Sequence, residues 1–199
     1  MQAHIRQHAL GAWVCMAEGQ LIANHIPFYL DTTQGPYGCL RGHVARANPV
    51  WSLLKSGAPS VLMFMGPAAY ISPSWYPSKL THGKVVPTWN YITVHAHGLA
   101  KTFDDTDCLL RLLHHLSDSE ESKIGRSWKV SDAPAHFIHQ LCKAIVGIEI
   151  TIDRLEGRLK VSQDETQDDR AATAKALMQS PDPAHQSIAH VIQQSLQNE

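Results

Sequence analysis

The sequence predicts a mainly β protein with helices added late, an α+β chain whose strands form a small barrel. Three observations predict it. Short apolar segments separated by turn residues fill the first part of the chain, a long stretch with period-two alternation closes that series, and a helical period takes over only after Asp104. With 199 residues, 44% hydrophobic and 18% charged, the chain has the apolar content of one ordinary domain with its own core.

The elements follow in order. Ala12–Met16 and Leu21–Leu30 read as a strand pair around the polar turn Glu18-Gly19-Gln20. Gly35-Pro36-Tyr37-Gly38 is a turn signal, and Cys39–Ala47 after it reads as a strand with Leu40, Val44 and Ala45 apolar. Pro59–Gly66 holds the continuous apolar run Val61–Met65, short enough for a buried strand. Val85–Phe103 is the most regular strand, with Tyr91, Thr93, His95 and His97 on one face and Ile92, Val94 and Ala96 on the other. Gly98 reads as a bulge that lets so long a strand bend.

Past Asp104–Asp107, Leu109, Leu110, Leu112, Leu113 and Leu116 predict an amphipathic helix with acidic caps available. Ser131-Asp132-Ala133-Pro134 opens a second helix, with Phe137, Ile138, Leu141 and Ile145 on one side. Val146–Asp153 returns to strand, and Leu155-Glu156-Gly157-Arg158 reads as a tight turn into Leu159–Ser162. Ala171–Gln179 and His185–Leu196 end the chain as two helices. The expected organisation is a barrel domain over residues 1–165 and a helical extension over 166–199.

Charge and motifs remove several function classes. The formal net charge is −1, with the basic residues dispersed, so neither charge nor motif supports direct DNA binding. Cys15, Cys39, Cys108 and Cys142 form no C-x-x-C pair, which suggests buried thiols in a reducing, cytoplasmic setting. The apolar patch Ala9–Met16 is too short to span a bilayer, so no membrane partner is expected. Thirteen histidines come without H-E-x-x-H or a Cys/His framework, and His95 and His97 read as structural or surface residues rather than metal ligands. Dinucleotide, P-loop and nucleophile-elbow signatures are absent from the sequence.

Three segments carry unusual chemistry. Arg41–Pro49 places two arginines, His43 and Asn48 along a strand, a pattern that also suits a solvated edge. Tyr70–Lys79 has two prolines that keep it out of a central ladder, and it offers Ser72, Ser74, Lys79 and the aromatic pair Trp75-Tyr76. Lys84–Tyr91 combines Thr88, Trp89 and Asn90 behind Pro87; core packing of Trp89 and Tyr91 is the plainer reading of it. Together these groups suit a planar ligand with polar edges and an anionic tail. Aromatic walls cover the ring, and cations with hydroxyls hold a phosphate dianion. FMN fits this description, as do other phosphorylated planar ligands.

The blocks Gly42–Pro49, Tyr70–Pro77 and Val86–Tyr91, with Trp128, Ala144–Ile150 and Glu156–Gln163 further on, resemble the PaiB-like FMN-binding negative transcriptional regulators. That resemblance implies a flavoprotein with the FMN-binding split β-barrel of the pyridoxamine-phosphate oxidase-like type. It also implies a homodimer that packs barrel to barrel, with two flavin sites at the interface. By the same resemblance the cofactor-binding residues are His43, Arg46, Ser72, Ser74, Lys79, Thr88, Trp89, Asn90, Lys160, Ser162 and Gln163. Arg46, Lys79 and Ser74 are assigned to the phosphate side, and Trp89 with Asn90 to the ring. Two departures stand out: only Met1–Gln7 precede the first strand, and Ser162-Gln163-Asp164 replaces the family's usual Ser-Gln-Asn.

The function expected is therefore an FMN-binding regulator of transcription acting as a homodimer. The alternative is an FMN-dependent oxidoreductase or flavin reductase, for which no catalytic residue is identifiable and His43 is the best acid–base candidate. A barrel that has lost its flavin and binds something else is a third reading.

Overall fold

A two-residue turn sets the first strand pair. Glu18 and Gly19 have φ of 50° and 77°, the left-handed pair that a type I′ hairpin requires. β1 (Leu10–Ala17) therefore folds back on β2 (Gln20–Pro27) with Ala17 opposite Gln20. β3 (Tyr29–Asp31), β4 (Cys39–Ala45), β5 (Ala58–Ile71), β6 (Thr88–Phe103) and β7 (Ile145–Lys160) complete one sheet in the order β2-β1-β5-β6-β7-β4-β3. The pairs β1–β2, β1–β5, β3–β4 and β4–β7 are antiparallel. The computed structural model describes residues 1–54 and 57–197.

The order of the strands dictates curvature. β2 and β3 are the two outermost strands, yet only Phe28 separates them along the chain. Laid flat, the edges of seven strands would stand about 29 Å apart at the usual inter-strand spacing. From Pro27 to Tyr29 the chain reaches at most about 7 Å. The sheet must roll until its edges meet, and Phe28 sits at the seam, its amide donating to the Ala9 carbonyl at 2.9 Å. Gly42 of β4 is needed at the same seam, because a Cβ there would stand 2.8 Å from the Pro27 carbonyl oxygen.

The chain groups into two compact units, Met1–Phe64 with Val94–Glu156, and Met65–Thr93 with Gly157–Glu199. In the first, Trp13, Phe28, Leu40, Leu62, Phe64, Ala96 and Ile150 are among the side chains that fill the barrel interior. The alternation on β6 is as predicted there: Val94, Ala96 and Ala100 are buried, while His95 and His97 are only partly so. α3 (Thr106–Lys123) starts at Asp105, whose carboxylate accepts from the Cys108 amide at 2.8 Å, and it buries Leu109, Leu112 and Leu116. α4 (Ala135–Cys142) adds Ile138 and Cys142 to the same small core. A short α1 (Gln2–Gln7), unforeseen from the sequence, precedes β1.

In the second unit, α5 (Gln167–Met178) and α6 (Pro183–Gln197) bring Leu177, Ile188 and Ile192 into one core with Ala69, Ile71 and Val161. α2 (Ser78–His82) is a single turn ended by Gly83.

Several boundaries differ from expectation. Leu155–Arg158 is no turn: β7 runs unbroken through it, and Gly157 is absent from the glycines with positive φ. Glycine beside charged residues resembles a turn in composition, but extended pairing overrides that local signal. The strand foreseen at Val85 starts only at Thr88, because Pro87 has no N–H to give the ladder. The predicted Leu21–Leu30 strand is split at Phe28 by barrel closure. β5 extends beyond Gly66 to Ile71, and β4 stops at Ala45 rather than Ala47.

Candidate functional site

Nine of the eleven expected cofactor residues lie in the second unit, and the strand ends decide how they group. β6 begins at Thr88 and β7 ends at Lys160 on neighbouring strands. The Lys160 ammonium donates to the Thr88 hydroxyl at 2.6 Å. Asn90, wholly buried, donates its amide to the Ser162 hydroxyl at 2.9 Å, and that hydroxyl bonds back to Asn90 Oδ1 at 3.3 Å. Ser162 reaches this position in a left-handed conformation, φ 60°. Gln163 folds over its own backbone, accepting from the Val161 amide at 2.8 Å and donating to the Leu159 carbonyl at 2.7 Å. Asn90, Ser162 and Gln163 thus spend their polar groups on each other or on the chain, locking the end of β7.

Trp89 stands apart from this clasp. Period two points it to the opposite face from Thr88 and Asn90, and it is 57% exposed. Tyr70 on β5 meets it edge to face, with ring centroids 6.0 Å apart. Because Lys160 shares the face of Thr88, its neighbour Leu159 falls on the face of Trp89, and it too is exposed. An apolar stripe of Tyr70, Trp89 and Leu159 therefore crosses three adjacent strand ends. Just beyond Tyr70, Ser72 caps a single 3-10 turn at Pro73–Trp75 by accepting from the Ser74 amide, and the two hydroxyls lie 2.7 Å apart. Lys79 is exposed on α2.

His43 and Arg46 belong to the first unit. Arg46 is engaged: its guanidinium pairs with Asp104 at 2.6 Å and donates to the carbonyls of Lys143 at 2.8 Å and Ile145 at 3.0 Å. His43 faces Gly147 of β7 in the strand register, and a Cβ at Gly147 would run into the Phe103 ring. His43 is half-buried, its Nδ1 has no hydrogen-bond partner among the described residues, and burial lowers its pKa below the ordinary 6.5.

The first unit also holds a cleft that the sequence reading missed. The register places Tyr29 opposite Arg41 and Arg41 opposite Glu149, one row across β3, β4 and β7 on the outer face of the barrel. Asp31, two residues on along β3, shares that face, and α3 roofs it with Cys108, Arg111, Leu112 and His115 around a cleft of about 350 Å³. Arg41 donates to Asp31 and to Glu149, each at 2.8 Å. The Thr33 hydroxyl, followed by Arg41, holds the Asp31 carboxyl below its ordinary range. Burial works against the Arg41 charge, but Glu149 and Asp31 outweigh it and raise its pKa. The Asp105 carboxylate, helped by burial, pushes the Cys108 thiol pKa up. The signal that could have pointed here is a charge inside an apolar run, Ile148-Glu149-Ile150, matched by Arg41 after Leu40. Among the described residues no three metal-binding side chains gather, and no helix is long and apolar enough to cross a membrane.

The chain is 33% identical over 229 residues to an uncharacterized protein of Emericella nidulans, covering 98% of this chain and 91% of that one. It is 27% identical over 195 residues to the protease synthase and sporulation protein PAI 2 of Bacillus subtilis, with the same two coverages. Among solved structures, the FAD and heme binding protein of Mycobacterium smegmatis matches with a TM-score of 0.54 at 16% identity, over 85% of this chain and 74% of that one. At that identity the likeness shows the fold, which is α+β and of the FMN-binding split-barrel type. A family model described as "Putative FMN-binding domain" matches residues 1–154, and the chain belongs to that family.

Proposed function

We propose that this protein binds FMN as a homodimer and acts as a negative regulator of transcription. The observation that carries the flavin reading is the exposed Tyr70–Trp89–Leu159 stripe in the second unit, together with the hydroxyl and ammonium groups of the same unit. A flat apolar ring finds a wall in Trp89, and a phosphate dianion suits Ser72, Ser74 and Lys79 through charge-assisted bonds. The donor set therefore fits FMN, which when bound supplies one- and two-electron redox chemistry. In this reading Lys160 is oriented by Thr88, while Asn90, Ser162 and Gln163 hold the strand end that presents Trp89. His43 and Arg46 remain proposed cofactor residues, with the main-chain bonds of Arg46 giving it a structural role as well.

The homodimer is supported by the same stripe, because large contiguous apolar groups left in water mark an interaction surface. The regulatory role is supported by the likeness to PAI 2 over nearly the whole chain. A net charge of −1 argues that such a role does not depend on gripping DNA phosphates. The oxidoreductase reading has one observation in its favour: His43 is half-buried and burial lowers its pKa, which favours the neutral imidazole that a general base needs.

The test is titration of the purified chain with FMN and with riboflavin, followed by flavin fluorescence. Saturable binding is expected, with FMN at least about tenfold tighter than riboflavin and that advantage reduced in Lys79→Ala. No saturable signal with either flavin overturns the reading. NAD(P)H oxidation by the FMN-loaded protein separates the two outputs, since steady turnover favours the enzyme. A gel shift with the protein's own promoter region at moderate salt tests direct DNA contact.

A further inference from the structure

The cleft between α3 and the β3–β4–β7 row contains none of the residues proposed for the flavin. Its volume of about 350 Å³ is that of a small-ligand site. On the sheet side, Asp31 and Glu149 share the single cation Arg41, which leaves one negative charge in excess. On the helix side stands Arg111, which donates to the Cys108 sulfur at 3.0 Å and has no carboxylate within ion-pair distance among the described residues. Between these opposite charges lie apolar surfaces, Phe103 and Leu112, and the stacked rings of Tyr29 and His115, 4.4 Å apart and nearly parallel.

Arg111 feels the Asp105 carboxylate at the start of its own helix but, among the described residues, forms no ion pair with the sheet carboxylates. Cation and sheet carboxylates stay apart across an open space whose wall mixes apolar groups with polar ones, Gln34 among them. Such a space matches a molecule that carries both charges itself. A simple anion would meet the excess negative charge of the sheet row, and a simple amine would meet Arg111.

We propose that this cleft binds a free α-amino acid with an apolar or aromatic side chain. Its carboxylate lies toward Arg111, its ammonium toward the Asp31–Glu149 pair, and its side chain against Phe103 and Leu112. The proposal stands independently of the flavin reading.

The test is isothermal titration calorimetry of the full-length, FMN-saturated protein with L-phenylalanine and L-leucine. Phenethylamine and 3-phenylpropionate serve as ligands that keep only one of the two charges. Saturable binding of at least one amino acid is expected, with each single-charge compound at least about tenfold weaker. Arg111→Ala, on an exposed helix position where Ala is a strong helix former, should weaken binding by a similar factor while Arg111→Lys retains part of it. Glu149→Gln should weaken it as well. No binding of either amino acid up to about 10 mM (an affinity below about 3 kcal/mol) overturns the proposal. Equal binding of a single-charge compound, or indifference to Arg111→Ala, does the same, and so does release of FMN as the amino acid is added.

Discussion

His43 shows how one side chain can be expensive to keep and still informative. Its ring is half-buried with an unpartnered Nδ1, so the folded chain resists protonating it. The unfolded chain binds that proton near the ordinary value of 6.5, above the folded value. The unfolded state therefore takes up protons first on acidification, and the stability associated with neutral His43 is full above that pH and declines below it. His8 and His97 are lowered by burial too, so they contribute in the same direction. His43→Gln should consequently flatten the fall in unfolding free energy between about pH 7 and pH 5, measured by urea unfolding at each pH. An unchanged slope would show that His43 binds its proton equally well in the folded and the unfolded chain.

At the scale of elements, the ends of β6 and β7 are joined by polar side chains as well as by the core that holds Val161 and Ile92. Asn90 and Ser162 are both buried and answer each other's hydrogen bonds, 72 residues apart in the chain. Asn90→Ala would remove the Ser162 hydroxyl's buried amide partner and leave it only the Tyr76 side chain nearby, which costs about 1–3 kcal/mol. A loss in that range is expected in the unfolding midpoint at unchanged m-value. Asn90→Ala with full stability would mean that the clasp carries no weight. The same element pair explains the misread turn at Leu155–Arg158. The local composition suits a bend, but β7 keeps its extended pairing until Lys160, where Ser162 takes the left-handed conformation and ends the strand.

For the whole molecule, association is the prediction that matters most. Sedimentation velocity should find a dimer, and Trp89→Glu should shift it toward monomer by placing a charge in the apolar stripe. A monomer at every concentration would remove the barrel-to-barrel arrangement. Much of the fold was legible in local pattern. Glu18-Gly19 announced a hairpin, the leucines after Asp105 announced a capped helix, and the alternation from Val94 to His97 announced its buried and outer faces, whereas Thr93 is buried against its expected face. The chemically odd blocks at Tyr70–Lys79 and Thr88–Asn90 were legible for the same reason, since prolines, hydroxyls and tryptophans stand out within a few residues. The sequence by itself thus determined the α+β class, most element positions and the residue types that suit a phosphorylated flat ligand, all of which rest on short-range sterics and periodicity. Only the tertiary structure decided that Arg41 meets Glu149 across 108 residues, that Trp89 turns away from Asn90's clasp, and that Arg111 roofs a charged cleft. Register and helix docking bring together residues distant in sequence, and no local pattern encodes which strand will lie beside which.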